Sequence, residues 1–504
     1  MSPRELVATV LSRAALGLHA PLVRVEVHLA PGLPNFSIVG LPEATVRESR
    51  ERVRTALRTC GREFPPGRLV VNLAPADLPK EGGRFDLPIA IGVLAATGQL
   101  PIDCLREREF YGELSLGGEL RETGKLLPAL IAGRAAGHEL VVPAANGAES
   151  AMLEGARIRE ARHLGALCAA LAAKEPCPVA DPPADLPASA PDLPDLREVR
   201  GQHAAKRALE IAAAGGHALL MVGPPGAGKT MLAQRLPGLL SPLEPQERME
   251  VACLQSAAGR RPTLTSIRPF CAPHHSASVA ALIGHAARPG EISLAHHGVL
   301  FLDELPEFPR NALEALREPL ETGSIVIARA HRSAEWPARF QLVAAMNPCP
   351  CGYHGAARGR CHCTGEQVQR YRQRVSGPLL DRIDMHLRLA APTAEELLER
   401  DCAAPESSGD VALRAERARR IQSVRQGMPN ARLAVDGLEE HCRLDRDSRS
   451  LLERAIGRFG LSARACHRSV RLARTIADLA ASAEIAPTHL AEALGLRALD
   501  RPPE

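Results

Sequence analysis

A glycine-rich segment, GPPGAGKT at residues 223–230, restricts the fold of this chain more than any other feature. It follows an apolar run, ALLMVG, and precedes MLAQRLPGLL, which has the pattern of a helix. Glycines at such a strand-to-helix turn let backbone N–H groups close around phosphate oxygens, while Lys229 reaches the β- and γ-phosphates and Thr230 ligates Mg²⁺. The segment therefore predicts an ATP site formed by Gly223, Pro224, Pro225, Gly226, Ala227, Gly228, Lys229 and Thr230.

Two later apolar runs end in polar side chains that fit the same site. VLFLDE, at 299–304, ends in Asp303, which we expect to hold Mg²⁺, and Glu304, which we expect to polarise the attacking water. QLVAAMN, at 341–347, ends in Asn347, whose amide would orient that water and sense the γ-phosphate. The alternatives are acids at an ordinary strand end and an asparagine that begins a turn.

The length of 504 residues predicts several domains. A segment rich in Pro, Ala and Asp at 177–197 reads as a linker between an N-terminal domain, 1–176, and an ATPase core, 198–392. Strands alternate with helices in the core, which predicts an α/β fold with a parallel sheet. The pattern from 393 to 504 is helical.

The N-terminal domain has an α+β pattern. Apolar residues alternate with polar ones from Val23 to Leu29, which predicts a half-buried strand. Further strands are expected at 35–41 and 68–73, and helices at 43–59 and 87–98. In the core we expect strands at 298–302, 324–328 and 340–345.

Composition indicates the cellular compartment of the protein more clearly than it indicates the function. The net charge is only +4, so any surface that attracts nucleic acid must be local. We find no apolar run near the roughly 18 residues of a membrane span, and no signal-peptide core at the N-terminus. Nine of the 13 cysteines are single, as buried thiols are in a reducing compartment. These features predict a cytoplasmic protein without a membrane partner.

The other four cysteines lie close together at 349–363. Cys349, Cys351, Cys361 and Cys363 form two C-x-C pairs and supply a full tetrahedral set for Zn²⁺. His354 or His362 could replace one ligand. Redox-active or metal-free thiols are the alternative.

The order of these features resembles the AAA+ ATPases of the magnesium-chelatase and MCM-helicase clade. That order comprises the phosphate loop, the LDE strand, a hairpin, the Asn strand, SGPLLDRID and a helical segment with SARACHR. The closest resemblance is to the magnesium-chelatase-like ComM/YifB family, through GEISLAHHGVLFLDELPEF and AAMNPCPCG, and it covers nearly the whole chain. The resemblance implies a P-loop AAA+ core, an α-helical C-terminal lid and assembly into a homohexamer when ATP or DNA binds.

The resemblance also implies roles for two arginines. Arg382, in SGPLLDRID, would be the arginine finger offered to the neighbouring subunit's nucleotide, and we expect its loop, which follows the Asn347 strand, to face outward. Arg464, in LSARACHR, would be the lid arginine that reaches the bound nucleotide. Each would set a fixed charge against the phosphate oxygens. A surface salt bridge is the alternative, since Arg464, Arg468 and Arg471 share one helix face.

Three places are candidates for contact with DNA. ETGSIVIARAHRSAEWPARF, at 321–340, reads as a hairpin, and by the resemblance its tip, with Arg329, His331 and Arg332, points into the central pore and grips phosphates. An ordinary hairpin with solubilising charges is the alternative. Two histidines, His274 and His275, are interpreted as loop or pore contacts. A basic patch, which is either a DNA-facing or subunit-facing surface or a solvated face, contains Arg358, Arg360, Arg370, Arg372 and Arg374.

The N-terminal domain resembles the proteolytic domain of Lon, which has a ribosomal-S5-like fold, through DLPKEGGRFDLPIAIGVLAATG and GELSLGGELRETGKLLPAL. The stretch equivalent to the Lon nucleophile, from Lys80 to Asp86, contains no serine, and Lys125 is not clearly the equivalent of the Lon lysine. A Ser–Lys dyad cannot act without its nucleophile. We therefore expect a non-proteolytic domain for assembly or substrate contact.

The resemblance implies a ring-forming ATPase that drives branch migration of single-stranded and branched DNA when strands recombine during natural transformation, with recombination proteins as possible partners. The alternative is a chelatase-type motor that remodels a partner protein. The absence of an integrin-like metal-binding domain or acidic linker from the sequence makes that alternative weaker.

Overall fold

The computed structural model describes residues 7–40, 44–173, 193–329, 332–355, 360–391, 406–497 and 499. Most of the predicted linker and the boundary at 392/393 lie outside these ranges. The last residues of the linker prediction belong to the core instead, because Leu196 is fully buried among residues of the ATPase core.

The N-terminal domain is built on a mixed sheet. Its strands are β1 (Val7–Arg13), β2 (Leu22–Ala30), β3 (Asn35–Val39), β4 (Arg68–Ala74), β5 (Arg108–Phe110), β6 (Glu113–Leu114), β7 (Leu120–Arg121), β8 (Glu139–Pro143) and β9 (Ile158–Ala161). Seven of them form one sheet in the order β3-β4-β2-β1-β5-β8-β9, and β6 pairs with β7. Val23, Val25 and Val27 of β2 are fully buried, which confirms the predicted alternation.

Helices cover this sheet. They are α1 (Ala44–Thr59), α2 (Asp86–Ala96), α3 (Leu127–Ala135), α4 (Gly147–Ser150) and α5 (Leu164–Ala173). The predicted helices at 43–59 and 87–98 are confirmed within two residues at each end. Every residue of α2 is buried, and the helix lies so close to the sheet that a Cβ on Gly92 would be 2.6 Å from Val27 Cγ2. The glycine allows this close packing.

The ATPase core contains a sheet of five parallel strands. The core strands are β10 (Leu219–Val222), β11 (Phe270–Cys271), β12 (Gly284–His285), β13 (Arg288–Pro289), β14 (Val299–Leu302), β15 (Ser324–Arg329), β16 (Arg332–Pro337), β17 (Gln341–Met346) and β18 (Met385–Arg388). The parallel sheet has the order β11-β14-β17-β10-β18. All residues of β10, β14 and β17 are buried, since helices cover both faces of the sheet.

The run at 324–328 is the first strand of the hairpin predicted at 321–340, and this hairpin lies outside the parallel sheet. β15 pairs with β16 in antiparallel register from Ser324–Pro337 to Arg329–Arg332. Trp336 is almost fully buried, and its Nε1 donates to the carbonyl oxygen of His285, 3.1 Å away. The β15–β16 hairpin therefore packs against the smaller β12–β13 hairpin.

The core and C-terminal regions contain most of the helices. They are α6 (His203–Gly215), α7 (Lys229–Arg235), α8 (Pro245–Ala257), α9 (Val279–Ile283), α10 (Glu291–Leu294), α11 (Arg310–Glu314), α12 (Arg317–Thr322), α13 (Gly365–Arg372), α14 (Gly377–Leu380), α15 (Ser408–Gln426), α16 (Val435–His441), α17 (Arg446–Phe459), α18 (Ala463–Leu479) and α19 (Pro487–Gly495). The predicted helical C-terminal region is confirmed from 408 onward, and its helices share a hydrophobic core with α6 and β10. Among the helices of the described ranges, none has both the length and the apolar character that a membrane crossing requires.

The parallel strands give the core two chemically distinct edges. Their carboxyl ends meet at one edge, where residues 223, 303 and 347 follow β10, β14 and β17. The other edge, the amino edge, contains the residues that precede each strand. A four-residue strand separates the two edges by about 13 Å.

The N-terminal domain packs against the ATPase core through α3 and α8. The backbone N–H of Leu127 donates to Ser256 Oγ at 3.3 Å, and Ser256 Oγ donates to Glu149 Oε1 at 2.6 Å. Lys125 Nζ donates to the carbonyl oxygen of Ala287 at 2.8 Å, in the loop of the β12–β13 hairpin. The domain therefore contacts both the body of the core and one of its hairpins.

Candidate functional site

The phosphate loop leaves β10 at the carboxyl edge and leads into α7, as the sequence predicts. Gly226 and Gly228 have φ angles of +78° and +83°, in the left-handed region that glycine adopts without strain. No described atom lies within 4 Å of a Cβ built on either glycine. The inner surface of the loop is therefore open to a ligand.

Lys229 connects this loop to the end of β17. Its Nζ donates to the carbonyl oxygens of Gly223 and Pro224, at 2.6 and 3.0 Å, and to Asn347 Oδ1 at 3.0 Å. Burial lowers the pKa of Lys229 from its ordinary value. Neutral oxygen atoms satisfy the ammonium group here, and phosphate oxygens of a nucleotide can replace them.

Thr230 and Asp303 meet at the same edge. Thr230 Oγ1 donates to Asp303 Oδ2 at 2.6 Å. Hydroxyl and carboxylate oxygens are the ligands that Mg²⁺ prefers, and the ion commonly combines one or two of them with water and substrate phosphates. The two residues fit a magnesium site beside the phosphate loop.

Glu304 has an unusual backbone and an unexpected partner. Its φ is +53°, a left-handed conformation that is uncommon for a residue other than glycine. His275 Nδ1 lies 3.0 Å from Glu304 Oε2. The sequence interpretation of His275 as a loop or pore contact missed this pair. No local sequence signal indicates the pair, because it depends on the pairing of β11, four residues before His275, with β14.

The four clustered cysteines come together as predicted. Three of the Sγ–Sγ distances, 3.3, 3.6 and 3.7 Å, connect Cys349, Cys351 and Cys361, and all four Sγ atoms lie within 4.8 Å of one another. Tetrahedral Zn–S bonds of about 2.3 Å would set the sulfur atoms about 3.8 Å apart. The group fits Zn²⁺, and neither His354 nor His362 belongs to it.

Arg382 precedes β18 and lies at the amino edge, away from the phosphate loop of its own chain. Its side chain is only 9% exposed, with Nη2 2.6 Å from Glu321 Oε1 and Nη1 donating to the Pro378 carbonyl oxygen at 2.7 Å. In the single chain these contacts hold the guanidinium of Arg382, and its role as an arginine finger stays a prediction. Its buried Nε has no hydrogen-bond partner among the described residues.

Arg464 shares a cavity with Arg382. Both line a cavity of about 560 Å³ at the amino edge, together with Arg468 and Arg471. Arg468 Nη1 donates to Asp384, which also lies 3.3 Å from His217 Nδ1. Burial opposes ionisation of Asp384, but these cationic and hydrogen-bonding partners hold its pKa well below its usual range. The cavity therefore has a fixed polar wall and a cluster of guanidinium groups.

The hairpin prediction is confirmed for the backbone. Arg329 and Arg332 form the last pair of β15 and β16, at the end of the hairpin. His331 lies outside the described residues.

The basic patch is partly neutralised. Arg374 Nη1 lies 2.7 Å from Glu307 Oε2, and Arg372 Nε donates to the carbonyl oxygen of Pro348 at 3.3 Å. The guanidinium carbon of Arg360 lies 6.0 Å from the centre of the Tyr353 ring. Arg358 lies outside the described residues.

The two lysines of the N-terminal domain have structural partners. Lys80 is fully buried and donates to the carbonyl oxygens of Gly40, at 2.8 Å, and Pro75. Lys125 Nζ lies 3.6 Å from Glu81 Oε2. Both ammonium groups hold neighbouring loops together.

A second group of possible metal ligands, which the sequence interpretation missed, contains Glu250, His296 and His297. His296 Nδ1 accepts from the backbone N–H of Arg339 at 2.9 Å, so its proton is on Nε2, which faces Glu250 Oε2 at 3.1 Å. Both ring nitrogens of His297 face carboxylates, of Glu247 and Glu250. The nitrogens are occupied by hydrogen bonds, so the group does not fit a metal.

Comparison with protein families covers most of the chain. The family model "Magnesium chelatase, subunit ChlI" matches residues 195–397. "Subunit ChlI of Mg-chelatase" matches residues 25–146, and "Magnesium chelatase, subunit ChlI C-terminal" matches residues 405–497.

Similar proteins span the full length. The competence protein ComM of Haemophilus influenzae is 46% identical over 501 residues, which cover 98% of each chain. The YifB protein of Salmonella typhimurium is 46% identical over 500 residues, 98% of this chain and 97% of the relative. The YifB protein of Escherichia coli is 46% identical over 495 residues, 97% of each chain.

Proposed function

Because the chain belongs to the ComM/YifB family of magnesium-chelatase-like AAA+ proteins, we propose that it is a ring-forming, ATP-driven motor that migrates branched DNA. The main observation behind this proposal is that the residues expected to act in ATP hydrolysis lie at two opposite edges of one sheet. Lys229, Thr230, Asp303, Glu304 and Asn347 lie at the carboxyl edge, and Arg382 and Arg464 lie at the amino edge. The name of the H. influenzae relative supports a role in competence, and the buried single thiols support the proposal of a cytoplasmic location.

The carboxyl edge supplies the groups for ATP hydrolysis. Lys229 exchanges its contacts with loop carbonyls for the β- and γ-phosphates, and Asn347 stays within reach of the γ-phosphate. Thr230 and Asp303 would hold Mg²⁺, which neutralises charge on the phosphates. Glu304 orients and polarises the attacking water once its carboxylate is free of His275.

The two arginines at the amino edge support assembly into a ring. In the single chain, about 13 Å of sheet separates Arg382 from the phosphate loop, and Arg464 lines the same amino-edge cavity as Arg382. They can contact a neighbour's nucleotide if one chain's amino edge faces the next chain's carboxyl edge. Such a head-to-tail contact closes into a ring when its rotation allows closure, and we propose a homohexamer.

The N-terminal domain is proposed to be a Lon-like, non-proteolytic module that supports the motor. It contacts the core at Ser256 and, through Lys125, at the loop of the β12–β13 hairpin. That hairpin in turn contacts Trp336 of the β15–β16 hairpin. This chain of contacts supports a role in positioning the elements that we propose face the DNA.

We expect the Arg329→Ala, Arg332→Ala double variant to lose DNA gripping without loss of the nucleotide site. These residues end the β15–β16 hairpin and would contact phosphates, so binding should tolerate any sequence and weaken with salt. Basal ATPase should persist, while stimulation by single-stranded or branched DNA and migration of a four-way junction should fall together. ATPase rates and junction assays across a salt series measure this.

The matched control is the Arg443→Ala, Arg454→Ala variant, which removes the same charge from exposed positions of the helical region. If the hairpin variant migrates junctions at the parental rate, the basic patch at 358–374 becomes the better candidate. If DNA does not stimulate the parent at all, the alternative of a chelatase-type motor that remodels a protein is favoured, in line with the description of the matching family models.

We also propose that Cys349, Cys351, Cys361 and Cys363 bind zinc. Protein purified without added metal should contain about one zinc per chain by elemental analysis, because four thiolates complete a tetrahedral shell. Cys361→Ser should lose the metal, whereas Cys60→Ser, which changes a single cysteine of the N-terminal domain, should retain it. Metal-free parent protein with four titratable thiols would contradict the proposal.

A further inference from the structure

The cysteine cluster packs directly against the phosphate loop. Gly352, which follows Cys351, has a φ of +84°. A Cβ on Gly352 would lie 2.6 Å from Cδ and 2.8 Å from Cγ of Pro225, the third residue of the phosphate loop. The backbone N–H of Gly352 donates to the Cys349 carbonyl oxygen at 3.0 Å, so the turn that makes this contact is the turn between two of the ligands.

A second connection runs through the backbone. Asn347, which accepts a hydrogen bond from Lys229 Nζ, is only two residues before Cys349. Cys349 is fully buried and its Sγ accepts from the backbone N–H of His354 at 3.3 Å. The same four-sulfur group therefore anchors a segment that contacts the phosphate loop at Pro225 and at Lys229.

We infer that the zinc cluster and the nucleotide site are energetically coupled, with Gly352 as the positioning residue that transmits the coupling to Pro225. This rests on the proposed ATP and zinc sites and adds the regulation of one by the other. Zinc holds the 349–352 turn in the shape that supports the phosphate loop. Loss of zinc removes that support and lowers nucleotide affinity. An added disulfide reagent does the same by exchange: two cluster thiolates form one S–S bond, the reagent's S–S bond breaks to give two thiols, and zinc is released.

Thermodynamic linkage makes the coupling measurable from both sides. If zinc raises nucleotide affinity by some factor, the nucleotide must raise zinc affinity by the same factor. We expect zinc-loaded, full-length protein to bind a non-hydrolysable ATP analogue roughly five-fold or more tightly than zinc-depleted protein. The analogue should raise zinc affinity, measured by competition with a colorimetric chelator, by the same factor.

Two glycines provide a matched pair of variants. Gly352 and Gly355 both have left-handed φ angles, +84° and +78°, but a Cβ on Gly355 meets no described atom within 4 Å. Alanine at either position strains the backbone, and only alanine at Gly352 collides with Pro225. Gly352→Ala should retain zinc and bind the analogue at least about five times more weakly than Gly355→Ala does.

Each outcome decides the inference. Equal analogue affinities in the two glycine variants, with zinc affinity unchanged by nucleotide, would overturn it. If zinc-depleted protein unfolds, which circular dichroism detects, the glycine pair and the chelator competition still decide in zinc-loaded protein. A parent that binds neither ATP analogue nor zinc refutes the proposed function itself, whereas a parent that binds both independently refutes only the coupling.

Discussion

Glutamine in place of Glu304 should leave ATP binding close to that of the parent and slow hydrolysis by about 100-fold to 10,000-fold. Glutamine has nearly the same shape but cannot accept a proton from the attacking water. The phosphate contacts should survive, because Lys229 and Thr230 have partners other than Glu304. Equilibrium binding of ATP together with single-turnover hydrolysis separates the two effects.

Further variants at the carboxyl edge separate the roles of the lysine and the carboxylates. Lys229→Ala and Asp303→Ala should abolish nucleotide use, because they remove a phosphate contact and a magnesium ligand. Glu307→Gln is the matched control, since it makes the same chemical change three residues later, at a carboxylate that pairs with Arg374. Normal turnover in Glu304→Gln would remove Glu304 from the role of base.

The elements of the carboxyl edge were predictable because local sequence encodes them. Apolar runs that end in Asp303 and Asn347 identify buried strands with polar ends, and a third apolar run leads into the phosphate loop at Gly223. Parallel strands bring their carboxyl ends to one edge, so contact between these residues follows from the fold class alone. The cysteine group was predictable for a related reason, because its ligands are separated by at most 14 residues of chain.

Contacts between distant elements were not predictable. His275 faces Glu304 only because β11 and β14 are neighbours, and nothing in the local pattern specifies that order. Gly352 reads as an ordinary turn glycine until the position of Pro225 is known. The pair between Arg382 and Glu321 joins residues 61 positions apart, and no local pattern indicates it. These features depend on tertiary packing, which overrides local pattern.

Arg382 lies where it can act on the nucleotide of a neighbouring subunit. Arg382→Ala should reduce ATP hydrolysis about 1,000-fold or more if the guanidinium acts on a neighbour's γ-phosphate. A structural explanation of such a loss is that the buried guanidinium of Arg382 holds both the half-exposed carboxylate of Glu321 and the carbonyl oxygen of Pro378. Glu321→Gln distinguishes the two. It breaks the pair and keeps the arginine, so activity should persist if Arg382 is a finger and fall if the pair only stabilises the fold.

A mixture of inactive chains tests whether Arg382 acts between subunits. Arg382→Ala chains retain an intact phosphate loop, and Lys229→Ala chains retain an intact finger. In a ring with head-to-tail contacts, an equal mixture would combine both intact parts at about a quarter of its interfaces. ATPase activity should therefore reappear on mixing, although neither variant is active alone.

Arg464→Ala mixed with Lys229→Ala should recover in the same way, since Arg464 lines the same amino-edge cavity as Arg382. If neither mixture recovers at any ratio, with co-assembly confirmed by size-exclusion chromatography of tagged chains, both arginines act within their own chain or only in the fold.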